Sequence, residues 1–167
     1  MIRQSRNIGL TTLQTQFVTG GSYVTIATSG VSAPLGLSLI YIPSQIGVEV
    51  EVELSVLIDG TIKTGADTHA RGDVWRNGVP WKSFGSVSGF TGFTDGIYWG
   101  GQMNATLRDI IPANSTQIIY SLYGTCFKGG ASSPSSGVAF NWGLNAPLSA
   151  GGGTTASFIR LVERTRP

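Results

Sequence analysis

The chain has one cysteine, one histidine and few charges, and each shortage closes off a class of protein. Cys126 alone forms no intrachain disulfide, so the fold has to rest on packing, and the residue says nothing of a redox compartment. His69 alone leaves little room for a Ser–His–Asp triad. The Gly-x-Ser-x-Gly elbow is also missing, because Gly85-Ser86-Val87-Ser88-Gly89 puts valine at the nucleophile position. Neither Gly129-Gly130 nor Gly151 to Gly153 runs into Lys-Ser/Thr, as a phosphate-cradling loop requires. Charged residues are only 12% of the chain, 11 basic against 9 acidic. No basic stripe runs through its middle, which argues against nucleic acid as a partner. No apolar run approaches the ~20 residues of a membrane span, and none follows Arg3 and Arg6 in the manner of a secretory leader. The expectation is a soluble protein that folds where it is made and needs no cofactor or metal.

What is present is glycine, 24 of 167 residues, with abundant serine and threonine. That composition suits short strands joined by many turns, and the length fits one domain able to bury a core of its own. Periodicity points the same way. Val48, Val50, Val52, Leu54, Val56 and Ile58 alternate with Glu49, Glu51, Glu53, Ser55 and Leu57, which puts the first set on one face of a strand. The run is expected to end at an Asp59-Gly60 turn. Further strands are expected over Tyr23–Thr28, Leu35–Ile42, Gln117–Tyr123, Ala139–Leu144 and Ser157–Glu163. Asn77-Gly78 between Val74-Trp75-Arg76 and Val79-Pro80-Trp81 predicts a tight hairpin, with Pro80 on an edge strand or at a bulge. Long loops are expected over Ser83–Gly101, Lys128–Gly137 and Asn145–Thr155. The fold class is all-β, a single-domain antiparallel sandwich or jelly roll of about 8–10 strands.

Four constellations invite a chemical reading. Asp67, His69, Arg71 and Asp73 share a strand face, but Arg71 in the row repels a cation, so an Arg71–Asp salt bridge is expected there, with no metal. Glu49, Glu51 and Glu53 sit roughly 6.5–7 Å apart in alternate positions, near the lower limit for an inverting glycosidase. An acid and a base need different surroundings, however, and these three share one face, which reads as solvated or Arg-paired. Arg71-Gly72-Asp73 matches an integrin-binding tripeptide but runs directly into a strand. Trp81, Phe84, Phe90, Phe93, Tyr98 and Trp99 form an aromatic cluster that either stacks on sugar rings or fills a core and a subunit interface. No catalytic residue is assigned, and the chain is not read as an enzyme.

The C-terminal third carries a resemblance. Leu107-Arg108-Asp109-Ile110-Ile111-Pro112 leads through Ala113-Asn114-Ser115-Thr116 into Gln117-Ile118-Ile119-Tyr120-Ser121-Leu122-Tyr123, and the chain closes on Ala156-Ser157-Phe158-Ile159-Arg160-Leu161-Val162-Glu163. This resembles the jelly-roll domains of trimeric bacteriophage virion proteins, which share a fold with the tumour-necrosis-factor and complement C1q heads. It departs from their Asp-x-Pro turn at Asp109, where two residues precede Pro112. The resemblance implies a homotrimer made in the host cytoplasm and carried on the capsid surface as a decoration or cement protein bound to the major capsid protein. A receptor- or carbohydrate-binding tail-fibre tip, facing a host glycan, is the alternative. Residues 1–16 are then an N-terminal arm and strand start, and 17–167 the jelly roll. The contact residues expected are Arg3, Arg6, Trp81, Phe90, Phe93, Tyr98 and Trp99. Arg3 and Arg6 at one end and Arg160, Arg164 and Arg166 at the other form terminal patches, expected as solubilising ends or, alternatively, as contacts to an acidic partner.

Overall fold

The computed structural model describes residues 9–18, 24–26, 28–43, 48–62, 66–90, 97–111, 116–130, 137–140 and 157–165. Ten strands follow one another: β1 (Gly9–Val18), β2 (Val24–Ile26), β3 (Ser32–Tyr41), β4 (Glu49–Ile62), β5 (Ala66–Arg76), β6 (Val79–Phe90), β7 (Ile97–Ile110), β8 (Ile118–Gly130), β9 (Gly137–Phe140) and β10 (Ser157–Thr165). Every pairing is antiparallel. The first sheet runs β1-β10-β4, with β7 on the other edge of β4; β9 and then β2 continue from the far half of β4. The second sheet runs β3-β8-β5-β6.

The pairing is nested. The β5–β6 hairpin lies inside the β4–β7 pair, that pair inside β3–β8, and all of them inside β1–β10. One long hairpin folded over itself in this way is a jelly roll, with successive pairs falling alternately on the two sheets. Between the sheets lie Val50, Val52, Leu54, Val56 and Ile58 of β4, Ile159 and Leu161 of β10, Leu35, Leu37 and Leu39 of β3, and Ile118 and Leu122 of β8. Each such side chain contributes roughly 1.5–3 kcal/mol by leaving water. The alternation legible in β4 is therefore the core pattern itself. Cys126 of β8 is packed inside the same core, where burial pushes its thiol pKa up.

Local chemistry explains the details. Asn77 and Gly78 have φ of 51° and 78°, the left-handed pair of a type I′ turn. Asn77 is then held on β8, its N–H donating to the Ile119 carbonyl and its Oδ1 accepting from the Ile119 N–H, both at 2.8 Å. Pro80 does lie on an edge strand, next to a register shift. In β3 the register breaks between Pro34 and Ser38, where Gly36 takes a φ of 72° and both Leu35 and Leu37 are buried. The two lateral openings of the sandwich are closed by side chains. Gln16 of β1 accepts from Ser38 N–H (2.7 Å) and donates to the Gly36 carbonyl (3.4 Å), and Lys82 of β6 donates to the Arg108 carbonyl of β7 (2.7 Å).

Three sequence expectations fail here, in whole or in part. Asp59-Gly60 does not turn; β4 continues to Ile62, because β7 on one edge and β9 on the other hold the backbone extended against its local preference. Ser83–Gly101 is mostly strand as well, Ser83–Phe90 belonging to β6 and Ile97–Gly101 to β7. Lys128–Gly130 likewise extends β8. Residues 91–96, 131–136 and 141–156, which hold the rest of the expected loops, lie outside the described residues.

Gly72 faces the ring of Phe84, and a Cβ there would fall 2.1 Å from its atoms. Gly72→Ala is expected to lower stability by about 1–3 kcal/mol, the usual effect of overpacking. In a Phe84→Ala background the same change should cost almost nothing, so urea unfolding of the double-mutant cycle should be strongly non-additive. Additive effects would mean that Gly72 is required for some reason other than the ring above it.

Candidate interaction surface

The outer face of the first sheet is an ion-paired ladder. On β4 the residues that point away from the core are Glu49, Glu51 and Glu53, and the neighbouring strands place an arginine opposite each. Register sets Glu49 against Arg164, Glu51 against Arg108 and Glu53 against Arg160. Arg108 reaches Glu51 at 3.2 Å and Glu49 at 3.5 Å, Arg164 reaches Glu51 at 2.6 Å, and Arg160 pairs with Glu53 through Nε at 2.7 Å and also through Nη2. The face is Arg-paired, as one of the sequence readings had it. Arg160 and Arg164, two of the arginines near the end of the sequence, are paired with glutamates of the same chain. Glu51 is buried while Arg108 and Arg160 are partly exposed, and the pairs neutralise the carboxylates of this face.

The outer face of the second sheet carries the tripeptide and the lone histidine. Arg71, Gly72 and Asp73 lie mid-strand in β5, between β8 and β6, and not on a loop tip. Arg71 Nε pairs with Asp73 Oδ2 at 2.9 Å, the expected salt bridge, and its guanidinium sits 5.4 Å from the centre of the Phe127 ring. Beside them Trp75 stacks on Tyr123, ring centres 4.0 Å apart. His69 is exposed on the same strand.

The sequence reading missed the polar cluster sealed between the sheets at one end. Tyr120 of β8 donates to Asp109 Oδ2 of β7 at 2.6 Å, and Arg76 Nε of β5 stands 3.0 Å from the same oxygen. Tyr41 of β3 donates to Glu163 Oε2 of β10, also at 2.6 Å. Both phenols and both carboxylates are buried. Each phenol belongs to one sheet and each carboxylate to the other, so the two bonds fasten the layers. Strand parity carried the signal: Asp109 continues the inward row Met103, Ala105, Leu107, and Glu163 continues Ile159, Leu161. A carboxylate in phase with an apolar row is one that needs a buried partner.

At this end of the sandwich several large apolar side chains are exposed. Among the described residues the exposed large apolar side chains are Val31, Ile40, Ile42, Val79, Ile110 and Phe127. Four of these stand at the cluster's end: Ile42 is 70% exposed, Ile110 71%, Val79 63% and Ile40 49%. The first residue of β1 and the last of β10 also meet there, in register.

Of the contact residues expected from sequence, Trp81 is half-buried against the core, its ring centre 5.8 Å from that of Tyr120 with Lys82 Nζ 4.5 Å above it. It plugs the β6–β7 edge of the sandwich. Phe90 pairs in register with Asp67, Tyr98 with Thr61 and Trp99 with Gly60, all toward the opposite end, ~30 Å along the strands from Trp81. Trp81 and those three positions are therefore not brought together. Arg3, Arg6 and Phe93 lie outside the described residues. Among the described residues no group of three or more His, Cys, Asp or Glu side chains is placed to hold a metal ion.

Burial and the Asp109 carboxylate push the Tyr120 phenol well above its ordinary pKa of 10.0. Above pH ~10 the unfolded chain releases this proton while the folded chain keeps it, so stability falls as the pH rises beyond that point. Thermal unfolding across pH 8–12 should show this alkaline decline, with a shallower slope in Tyr120→Phe. At neutral pH the same variant should lose about 1–3 kcal/mol, because it removes a buried hydrogen bond to a carboxylate oxygen that Arg76 still reaches. A variant as stable as the parent with an unchanged slope would show that the bond contributes nothing.

No family model and no curated protein matches this chain. Solved structures do match. Dimeric latent PorU from Porphyromonas gingivalis aligns at a TM-score of 0.36 and 10% identity, over 90% of this chain and 11% of that one. The VP2 subviral particle of infectious bursal disease virus aligns at 0.36 and 17% identity, over 92% of this chain and 38% of that one. The Gx strain of the same virus aligns at 0.34 and 15% identity, over 96% and 36%. This chain thus spans a small part of each, never more than 38%.

Proposed function

We propose that the chain is a structural virion protein, a homotrimeric decoration or cement module that clamps the major capsid protein on the surface of a phage head and catalyses nothing. The observation that carries this reading is the apolar end of the sandwich, where Ile42, Ile110, Val79 and Ile40 stand in solvent above a rigid, hydrogen-bonded interior. Large apolar side chains left in solvent around one end of the sandwich suit a surface that is covered in the working assembly. The neutralised outer ladder supports the same reading. With its glutamates and arginines paired among themselves, that face offers little to phosphate, whether of nucleic acid or of a lipid headgroup. The resemblance of Leu107–Glu163 to trimeric virion jelly rolls supplies the choice of partner and of threefold symmetry.

The first test is solution mass by light scattering coupled to size exclusion. A trimer of about 52 kDa is expected from a 17.5 kDa chain, and it should co-sediment with assembled heads but not with free coat subunits. Ile110→Asp and Ile42→Asp should each weaken the trimer or the head contact at least about tenfold while leaving the fold intact, since both side chains are exposed. A wild-type protein that stays monomeric at micromolar concentration and ignores heads overturns the proposal.

A further inference from the structure

The outer face of the second sheet is built unlike the ladder on the first. Between His69 and Trp75 of β5 and between Ile119 and Phe127 of β8, its two central strands, the ionised side chains are Arg71 and Asp73. They pair with each other at 2.9 Å, so this stretch has no net charge. Its hydroxyls are likewise matched among themselves: Ser32 Oγ lies 2.6 Å from Thr125 Oγ1, and Ser38 Oγ 2.8 Å from Ser121 Oγ. Trp75 stacks on Tyr123 and the Arg71 guanidinium stands over Phe127, so the large side chains are held in place before anything touches them. Covering such a face strands few polar groups and freezes few rotamers, the two costs that usually consume the gain from burial. Tryptophan, tyrosine and arginine together, with no lysine or glutamate in either stretch, is also the composition of an interface centre. The size fits as well. Four strands ~4.8 Å apart and the length of Ile119–Phe127 make a face of roughly 20 by 30 Å, about 600 Å² in plan, near the ~800 Å² that each partner of a stable complex buries.

We propose that this face docks a second copy of the chain, across a twofold axis that lies in the plane of the face and crosses the strands at Gly72 and Gly124. Register sets those two glycines opposite each other, with Arg71 and Thr125 on one side of them and Asp73 and Tyr123 on the other. An axis there exchanges the two ends of the face. It lays the Arg71–Asp73 pair of one copy head to tail against that of the other, cation over anion, which is the attractive arrangement of two dipoles. It also carries the exposed Phe127 of each copy over the row that holds Trp75 and Ser121 of the other. The face is thus its own complement, as a twofold contact requires. A strongly acidic or basic partner would gain nothing from a face without net charge, and a phosphate surface would find one cation already paired. A contact of this size with a single aromatic centre is expected to associate at about 100 µM, so it adds to whatever species the dilute protein forms. It uses a different surface from the apolar end and does not depend on the trimer reading.

The test is sedimentation equilibrium of the intact protein from about 10 µM to about 1 mM. The mass should double reversibly over that range, to about 105 kDa if the dilute species is a trimer and to about 35 kDa if it is a monomer. Amide NMR shifts should move with concentration along Arg71–Trp75 and Ser121–Phe127. Phe127→Asp, at an exposed position, should weaken the doubling at least about tenfold, and Thr106→Lys, exposed on the other sheet, should leave it unchanged. A mass that stays constant up to about 1 mM overturns the inference, and a constant trimer does so while leaving the trimer reading intact. A dilute monomer that doubles supports the inference and overturns the trimer instead. Doubling that ignores Phe127→Asp, or that moves amides on other strands only, places the contact elsewhere and overturns the inference too.

Discussion

Double-sided pairing of β4 is the constraint on which the rest of the sandwich depends. Its near half is bonded to β10 on one edge and its far half to β9, while β7 runs along its other edge from end to end. With both edges fixed, strict alternation sends the valines inward and the glutamates outward, and no one-residue slip is tolerated. The inward set defines the core and the outward set dictates that arginines stand opposite on β7 and β10.

Where the sequence was legible, a local rule and the tertiary structure agreed. The alternation from Val48 to Ile58, the Asn77-Gly78 turn and the edge position of Pro80 are of this kind. The fold class followed from them. Asp59-Gly60 misled because turn preference is a local quantity, and a strand paired on two sides overrides it. The stretch from Ser83 to Gly101 misled because glycine-rich composition reads as loop, whereas pairing with β5 and β4 holds its described glycines in strands.

The site was less legible than the fold. Aromatic clustering in sequence pointed at Trp81, Phe90, Tyr98 and Trp99, but an antiparallel strand carries consecutive residues away from one another, and Trp81 is used to plug an edge. Tyr41 and Glu163, or Tyr120 and Asp109 with Arg76, are joined only by the winding of the chain. Parity places each of them on an inward face, yet which phenol meets which carboxylate depends on how two sheets are stacked. The apolar end is invisible in sequence for the same reason, since Ile42, Val79 and Ile110 come from three separate segments.

Nested pairing has a kinetic side. The innermost hairpin, β5 with β6, closes over a two-residue turn, whereas Gly9 and Thr165 become neighbours only when nearly the whole chain has been gathered between them. Loop-closure entropy rises with each enclosing pair, and contact order of this kind places jelly rolls among the slow-folding topologies. The order of assembly implied is outward from Asn77-Gly78, with β10 the last strand to dock. Until it docks, one edge of the Glu49–Ser55 segment is unpaired, its apolar face is uncovered, and the polypeptide is at its most prone to join the wrong neighbour.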